Sequence, residues 1–247
     1  MLFYYITDRR QFRGSAAQQR DRLLAKIAEA ARAGVDLIQL RERDLSAREL
    51  YQLAMDAVTA VREARSEKRE TKLLINSRLD VALASGADGV HLRGADFVAS
   101  DARAVWAKTR TQLAGVPARK SESRSPSDNW QLTTSNFLVG VSCHTEADVL
   151  EAEAHGADFA VYAPIFEKHG TDVQPVGLEG LRQACARIAT HDKKVEAGFA
   201  SGMPILALGG ITLENARDCV AAGAAGIAGI RLFQDHDAVE VVAALRC

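Results

Sequence analysis

The hydrophobic positions of this chain fall into short unbroken runs, separated by longer stretches that are apolar only every third or fourth residue. One junction between the two kinds of segment is written four times. It reads AARAGVDLIQL at Ala30–Leu40, ALASGADGVHL at Ala82–Leu92, AEAHGADFAVY at Ala152–Tyr162 and VAAGAAGIAGI at Val220–Ile230. Each copy is an Ala-rich helical tail, then a glycine (Gly34, Gly86, Gly156, Gly223), then an apolar run. Glycine takes the left-handed backbone that closes a helix without a Cβ penalty. A short apolar run without alternation is a strand buried on both faces, as in a parallel sheet. With room for another helix–strand pair between copies, the repeat predicts eight βα units. That is a closed (β/α)8 TIM barrel, a single α/β domain over residues 1–247.

The pattern predicts strands at Phe3–Thr7, Asp36–Arg41, Lys72–Asn76, Gly89–Leu92, Phe137–Ser142, Phe159–Ala163, Pro204–Leu208 and Ile227–Ile230. Helical periodicity is clearest over Gln19–Ala33 and Ala47–Ala64, the second with Ser46 as N-cap and Glu49 at the capping-box position. Another helix starts at Thr145, with Glu146 and Asp148 in its first turn to suit the dipole. A further one opens at Leu213. Two segments break the rhythm. Lys108–Asn136 is rich in Ser, Pro and early basic residues, and Thr190–Gly202 is shorter. Both read as insertions at αβ junctions, on the barrel face opposite its active site.

Composition excludes several classes. The formal net charge of −1 gives no global attraction to nucleic acid or an anionic membrane. No apolar stretch reaches the roughly 20 residues that span a bilayer. MLFYYITDRR carries no basic segment ahead of its apolar run, so it is not a signal peptide. The four cysteines, Cys143, Cys185, Cys219 and Cys247, show no metal-like spacing. They read as reduced thiols of a cytoplasmic protein, with Cys185 and Cys219 on apolar helix faces.

Barrel chemistry sits at the C-terminal ends of the strands. The polar residues there are Asp8; Gln39, Arg41, Glu42 and Arg43; Asn76, Ser77 and Arg78; His91 and Asp96; Ser142 and His144; Pro164, Glu167, Lys168 and His169; Gly209 and Gly210; and Arg231. Arg41, Arg43, Arg78, Lys168 and Arg231 concentrate positive charge on one rim of a near-neutral protein, which suits a phosphorylated substrate. The plainer reading is local pairing, Arg41 with Glu42 and Arg78 with Asp80. Gly209–Gly210 in LALGGIT lies after strand seven, a usual phosphate position in this fold, although a tight turn would also want glycine. His144 is placed to carry a proton. His91, between Val90 and Leu92, reads as structural.

In this order the residues resemble the thiamin phosphate synthase/TenI family. The matching phrases are YYITD, DLIQLRERD at Asp36–Asp44, LLINSR at Leu73–Arg78 and GADGVHLRGAD at Gly86–Asp96. They continue through GVSCHT at Gly140–Thr145, GADFAVYAPIFE at Gly156–Glu167, PVGLEGL at Pro175–Leu181 and LALGGIT at Leu206–Thr212. The resemblance implies a cytoplasmic enzyme of thiamin biosynthesis with small phosphorylated substrates, no nucleic acid or membrane partner, and room for a homo-oligomer. In the synthase branch, a transferase joins hydroxymethylpyrimidine diphosphate to thiazole phosphate with Mg2+ assistance and releases pyrophosphate. In the TenI branch, a metal-free tautomerase aromatises thiazole phosphate carboxylate. Carried over to this chain, the resemblance puts His144, Arg41, Arg43, Asn76 and Ser142 at the reaction. It puts Gln39, Arg78, Lys168, Thr171, Gly209, Gly210, Ile230 and Arg231 around substrate and phosphate, and Asp96 on the metal.

The departures point to both branches. Synthases read R-E-K where this chain has Arg41-Glu42-Arg43, and N-D-R where it has Asn76-Ser77-Arg78, so Ser77 stands in place of a metal carboxylate. The Thr-rich, Lys-ending loop after strand six is here FEKHGTD, and Arg231 replaces the usual Ser after strand eight. Asp96 and PVGLEGL keep the synthase pattern, which sets that activity first. On this reading Asp96→Ala abolishes Mg2+-dependent pyrophosphate release. A tautomerase is the alternative, as is an inactive phosphate-ligand-binding homologue. A phosphosugar isomerase on the same barrel would need Glu42 as its base.

Overall fold

The computed structural model describes residues 1–64, 70–94, 96–112, 137–167, 173–191 and 202–246. Eight parallel strands close in sequence order: β1 (Leu2–Ile6), β2 (Leu37–Leu40), β3 (Lys72–Asn76), β4 (Gly89–Leu92), β5 (Leu138–Cys143), β6 (Phe159–Tyr162), β7 (Ile205–Ala207) and β8 (Gly226–Gly229). Each lies within one residue of its predicted ends. The helices that cover them are α1 (Ala16–Ala33), α2 (Ala47–Glu63), α3 (Leu79–Ser85), α4 (Ala99–Gln112) and α5 (Glu146–Ala154). They continue with α6 (Gly177–His191), α7 (Ala216–Ala221), α8 (Arg231–Gln234) and α9 (Ala238–Arg246). No helix among the described residues is long and apolar enough to cross a membrane.

The fourfold phrase is a fastening device. Gly34, Gly86, Gly156 and Gly223 all have positive φ at the helix ends. In three copies an aspartate follows, and it ties the coming strand to the previous one. Asp36 accepts from the Phe3 amide at 2.9 Å, Asp88 from Leu73 at 2.9 Å and Asp158 from Val139 at 2.6 Å. A cation backs each carboxylate: Arg246, Lys72 and Arg103 respectively. The fourth copy has Ala225 there, and its backbone alone bonds to Ile205. These contacts lie at the N-terminal ends of the strands, the face that carries stability in this architecture.

Helix starts follow the side chains available to cap them. Ser15, Ser46 and Thr145 each close a capping box, with Gln18, Glu49 and Asp148. α1 therefore begins ahead of the predicted Gln19, and Thr145 is a cap instead of the first helical residue. α7 begins three residues after the expected Leu213. Asn215 accepts from the Thr212 amide and donates to the Gly210 carbonyl, and this local bonding holds the segment as a turn. α4 continues over Lys108–Gln112 and α6 over Thr190–His191, so both predicted insertions start late. The back-bonds from Thr109 to Val105 and from Thr111 to Ala107 are compatible with a continuing helix. The remainder of the insertions lies outside the described residues, apart from Gly202.

Two apolar layers result. One lies between barrel and helices. It takes in Cys143 and Cys219, while Cys185 packs at its edge; burial pushes the first thiol up to about 12 and the other two to about 11. The other fills the barrel with Tyr4, Ile6, Leu37, Leu74, Leu138, Phe159, Val161, Leu206 and Ala228. On β1 and β6, which contribute two each, these residues are two apart, which fixes the inward parity. Gly140 shares that parity because nothing larger fits. A Cβ there would come within 2.3 Å of the Phe159 ring and 2.8 Å of His91 Nδ1. Gly140→Ala is expected to cost about 1–3 kcal/mol in denaturant unfolding, the usual penalty for overpacking a filled interior. A neutral result would mean that the Phe159–His91 layer has slack.

Candidate active site

Continuing the inward parity past the apolar layers brings Gln39, Asn76, His91 and Ser142 to the C-terminal end of the barrel. The first two start a chain of hydrogen bonds. Gln39 Nε2 donates to Asn76 Oδ1 at 3.1 Å, and Asn76 Nδ2 donates to Ser77 Oγ at 3.3 Å. The Ser77 hydroxyl donates to Asp96. Ser77 holds a left-handed φ of 59°, uncommon for serine, secured by its amide bond to the His91 carbonyl at 2.8 Å. A line of oriented amides thus runs from β2 to the loop after β4.

A second chain crosses the barrel interior. Tyr4 Oη lies 3.1 Å from His91 Nδ1, and His91 Nε2 lies 2.9 Å from Ser142 Oγ. Tyr4 is fully buried, and His91 is the only acceptor for its proton among the described residues. The proton therefore belongs on the Tyr4–Nδ1 bond, because a buried hydroxyl left without an acceptor is costly. Nε2–H then donates to Ser142, whose own proton is left to donate outward. Burial, with the Arg41 charge adding to it, pushes His91 down to about 3, so the ring is neutral at ordinary pH. His91 is structural in its packing, as expected, and it also sets the hydrogen-bond direction of a rim serine.

The cations divide into free and engaged. Arg41 is half-buried, and no carboxylate among the described residues pairs with it. Burial lowers its pKa first, and the charges of Arg43 and then Arg93 lower it further against the pull of Asp8 and Glu42. The Arg41–Glu42 pair does not form, because Glu42 has the opposite parity and turns into a buried cluster. It accepts from Thr7 Oγ1 at 2.7 Å and from the Arg9 amide, and Arg9 Nη1 reaches it at 3.1 Å. Arg9 also forks onto Asp44 at 2.7 and 2.9 Å. Thr7 Oγ1 in turn accepts from the Arg41 amide at 3.0 Å. This lock removes Glu42 as a free base, and with it the isomerase reading. Arg78 is held bidentately by Asp80 at 2.8 and 2.6 Å, as the plainer reading has it. Arg43 and Arg231 are exposed and make no ion pair among the described residues. Ile230 packs on the barrel interior as the N-cap residue before α8.

Gly209 and Gly210 have φ of 102° and 66°. A Cβ on either would meet the loop after β6, at Pro164 (2.8 Å) or Phe166 (2.7 Å). That loop is zipped to theirs by the Ile165 and Phe166 amides. The amides of Gly209 and Gly210 donate to no acceptor among the described residues, which leaves them for a ligand. His144 Nδ1 lies 2.8 Å from the Ala163 carbonyl, which can only accept, so Nδ1 carries a hydrogen and Nε2 has no hydrogen-bond partner among the described residues. Lys168, His169 and Thr171 lie outside the described residues.

At the place where the resemblance implies Mg2+, the donor set does not fit an ion held by the protein. Ser77 is neutral, and its hydroxyl oxygen already accepts from Asn76 Nδ2. Both Asp96 oxygens are engaged by Arg93, Oδ2 by its amide at 2.8 Å and Oδ1 by its guanidinium at 3.1 Å. Burial acts to raise this carboxyl, but the Ser77 and Arg93 hydrogen bonds and the Arg93 charge outweigh it and hold it low. No group of three metal-ligating side chains gathers among the described residues. Arg93 went unnoticed in the sequence, although its position two residues beyond His91 in a strand of inward parity marks it for this rim.

The profile of the thiamine monophosphate synthase family matches residues 3–116 and 120–233. Thiamine-phosphate synthase of Methanoculleus marisnigri is 33% identical over 229 residues, covering 92% of this chain and 84% of its own. The enzyme of the same name from Clostridium novyi is 30% identical over 240 residues, covering 96% and 92%. Thiamine phosphate pyrophosphorylase of Pyrococcus furiosus superimposes with a TM-score of 0.67 at 27% identity, over 99% of this chain and 93% of that one.

Proposed function

This chain belongs to the thiamine monophosphate synthase family, and from that membership we propose that it is a transferase joining hydroxymethylpyrimidine diphosphate to thiazole phosphate with release of pyrophosphate. The observation that carries the reading to its own side chains is Arg41, a half-buried cation without a carboxylate partner among the described residues, beside Arg43 and Arg93. Such a charge is costly to maintain unless an anion completes the site.

The bond between the pyrimidine methylene and the diphosphate oxygen breaks, and its electron pair leaves on the diphosphate. The lone pair of the thiazole nitrogen then forms the new C–N bond at the methylene cation. Charge therefore grows on the leaving group, where Arg41 and Arg43 stand, and fixed donors there act on the transition state more than on the bound substrate. Gln39 and Asn76 present the amide edges that orient a pyrimidine, and Ser142 adds a donor directed by His91. The nucleophilic nitrogen carries no proton to remove, so a general base is not needed. The free amides of Gly209 and Gly210, with Arg231 nearby in the same phosphate-binding quarter of the barrel, suit the thiazole phosphate. The reading also carries a cytoplasmic location.

Purified protein given both substrates should form thiamin phosphate, followed by fluorescence after oxidation, in equal amount with pyrophosphate. No product, together with metal-free conversion of the non-aromatic thiazole phosphate carboxylate, would replace this reading with a tautomerase centred on the open Nε2 of His144.

A further inference from the structure

We propose that Arg93 is a diphosphate-binding residue, completing with Arg41 and Arg43 a cradle of three guanidinium groups that holds pyrophosphate without a divalent cation bound by the protein's own side chains. The proposal rests on the synthase reading, because it assigns the part of that site where the leaving group would sit.

Three features of the site converge on it. The first is the occupancy of Asp96. A carboxylate that ligates Mg2+ must turn at least one oxygen to the ion, in a strict octahedral shell of oxygens. Here Arg93 takes one oxygen with its amide and the other with Nη2, and Ser77 adds its hydroxyl. The second is the geometry of Arg93. Its backbone is pinned in a turn by the reciprocal bond from the Asp96 amide to its carbonyl at 2.9 Å, yet its side chain is 53% exposed. Only one of its five N–H donors is spent on Asp96, so the rest of the fork remains to meet phosphate oxygens. The third is its company. Arg93 is near enough to Arg41 for the two charges to repel, and Arg41 in turn repels Arg43. Three guanidinium groups gather here, with Asp96 on Arg93 and the pull of Asp8 and Glu42 on Arg41 offsetting only part of the repulsion among them, since Arg41 is still held below its ordinary value. Guanidinium groups suit this task, since their planar forks match phosphate oxygens and they remain protonated at any working pH. Asp96 then offsets part of the Arg93 charge and competes with the anion for one of its donors. Any Mg2+ in the reaction would arrive on the substrate's diphosphate.

Calorimetric titration of the whole protein with inorganic pyrophosphate tests this directly. The Kd in EDTA should lie within about threefold of the Kd in Mg2+, a difference too small for a metal-built site. Arg93→Gln should weaken the EDTA value by about ten- to a hundredfold, the loss expected for charge-assisted hydrogen bonds. Asp96→Ala should tighten binding both in EDTA and in Mg2+, because a negative charge leaves the cradle and Arg93 is freed; a metal-ligand role demands weaker binding in Mg2+. Binding that vanishes in EDTA, or that Arg93→Gln leaves untouched in a variant with the parent's thermal midpoint, would overturn the proposal. The double change Ser77→Asp with Arg93→Ala should make pyrophosphate binding depend on Mg2+, and continued metal-free binding at parental affinity in that variant would also overturn it. The two readings fail separately. Metal-free pyrophosphate binding without thiamin phosphate formation removes the synthase and keeps the cradle. Thiamin phosphate formation with pyrophosphate binding only in Mg2+ keeps the synthase and removes the cradle.

Discussion

Arg41→Met is expected to lower kcat/KM by about a hundred- to a thousandfold, the range seen when one preorganised donor to developing negative charge is removed. The thermal midpoint should stay at or above that of the parent. The two signs follow from one arrangement. Arg41 is half-buried and sits among Arg43 and Arg93, so without ligand its charge is opposed by desolvation first and by like charges second. Methionine keeps much of the apolar stem and removes that opposition. The pull of Asp8 and Glu42 on Arg41 is lost as well, but neither forms an ion pair with it. The loss should fall mainly on kcat, because the charge that Arg41 meets is largest once the C–O bond is breaking. Arg41→Lys keeps the charge and gives up the planar fork, so it should recover part of the activity. Initial rates and a thermal melt on each variant check the pair of expectations. A variant that loses rate and stability together would show Arg41 to be a structural residue.

Much of the scaffold could be read in advance because it rests on local rules. A continuous apolar run such as FAVY in β6, closed off by Gly156 at the preceding helix end, can be little else than a strand covered on both faces. The strand ends in turn exposed Gln39, Arg41, Asn76 and Ser142, since a period of two carries the inward face of each strand up to the rim. Arg78 shows where this reasoning weakens. Its place at a strand end was right, but a carboxylate two residues away in sequence captures its guanidinium, and only the geometry of the turn decides that.

What escaped the sequence depends on partners far apart in the chain. Tyr4 and Ser142 meet through His91, across three strands, and the orientation of their protons follows from a buried hydroxyl needing an acceptor. Arg9 sat unremarked in a terminal YYITDRR, yet it spans 33 positions to reach Glu42. Neither link has a motif of its own. Arg93 is an intermediate case, since its parity was legible once β4 was placed, and only its bond to Asp96 was not. The same contact changes the meaning of a retained family residue: Asp96 can align with a metal carboxylate and still serve a guanidinium.

The link from Arg9 to Glu42 supports the second large effect, on stability. Arg9→Met is expected to destabilise the fold by about 3–5 kcal/mol at pH 7, since it leaves a buried carboxylate without its cation. The cost should shrink toward acid pH, and the direction can be worked out from two carboxylates. Burial already raises the Glu42 pKa in the folded protein, against the Thr7 and Arg9 hydrogen bonds that lower it. A raised pKa means stability that is full below the unfolded value and lost as pH rises through the folded one. Without Arg9 the pKa rises further, so the loss at neutral pH deepens while the protonated state is spared. Asp44 is held low by the Arg9 hydrogen bond, which contributes stability above its unfolded pKa, and that contribution disappears with Arg9. Both groups make the difference between variant and parent larger at pH 7 than near pH 4. Urea unfolding of the pair across that window measures it, and a difference independent of pH would mean that Arg9 acts by packing alone. Glu42→Gln supplies the control: its oxygen can still accept from Arg9 while its amide donates to Thr7 Oγ1, so its cost at pH 7 should be smaller than that of Arg9→Met. Because Thr7 also accepts from the Arg41 amide, Arg9→Met should cost activity even at temperatures where the variant is fully folded.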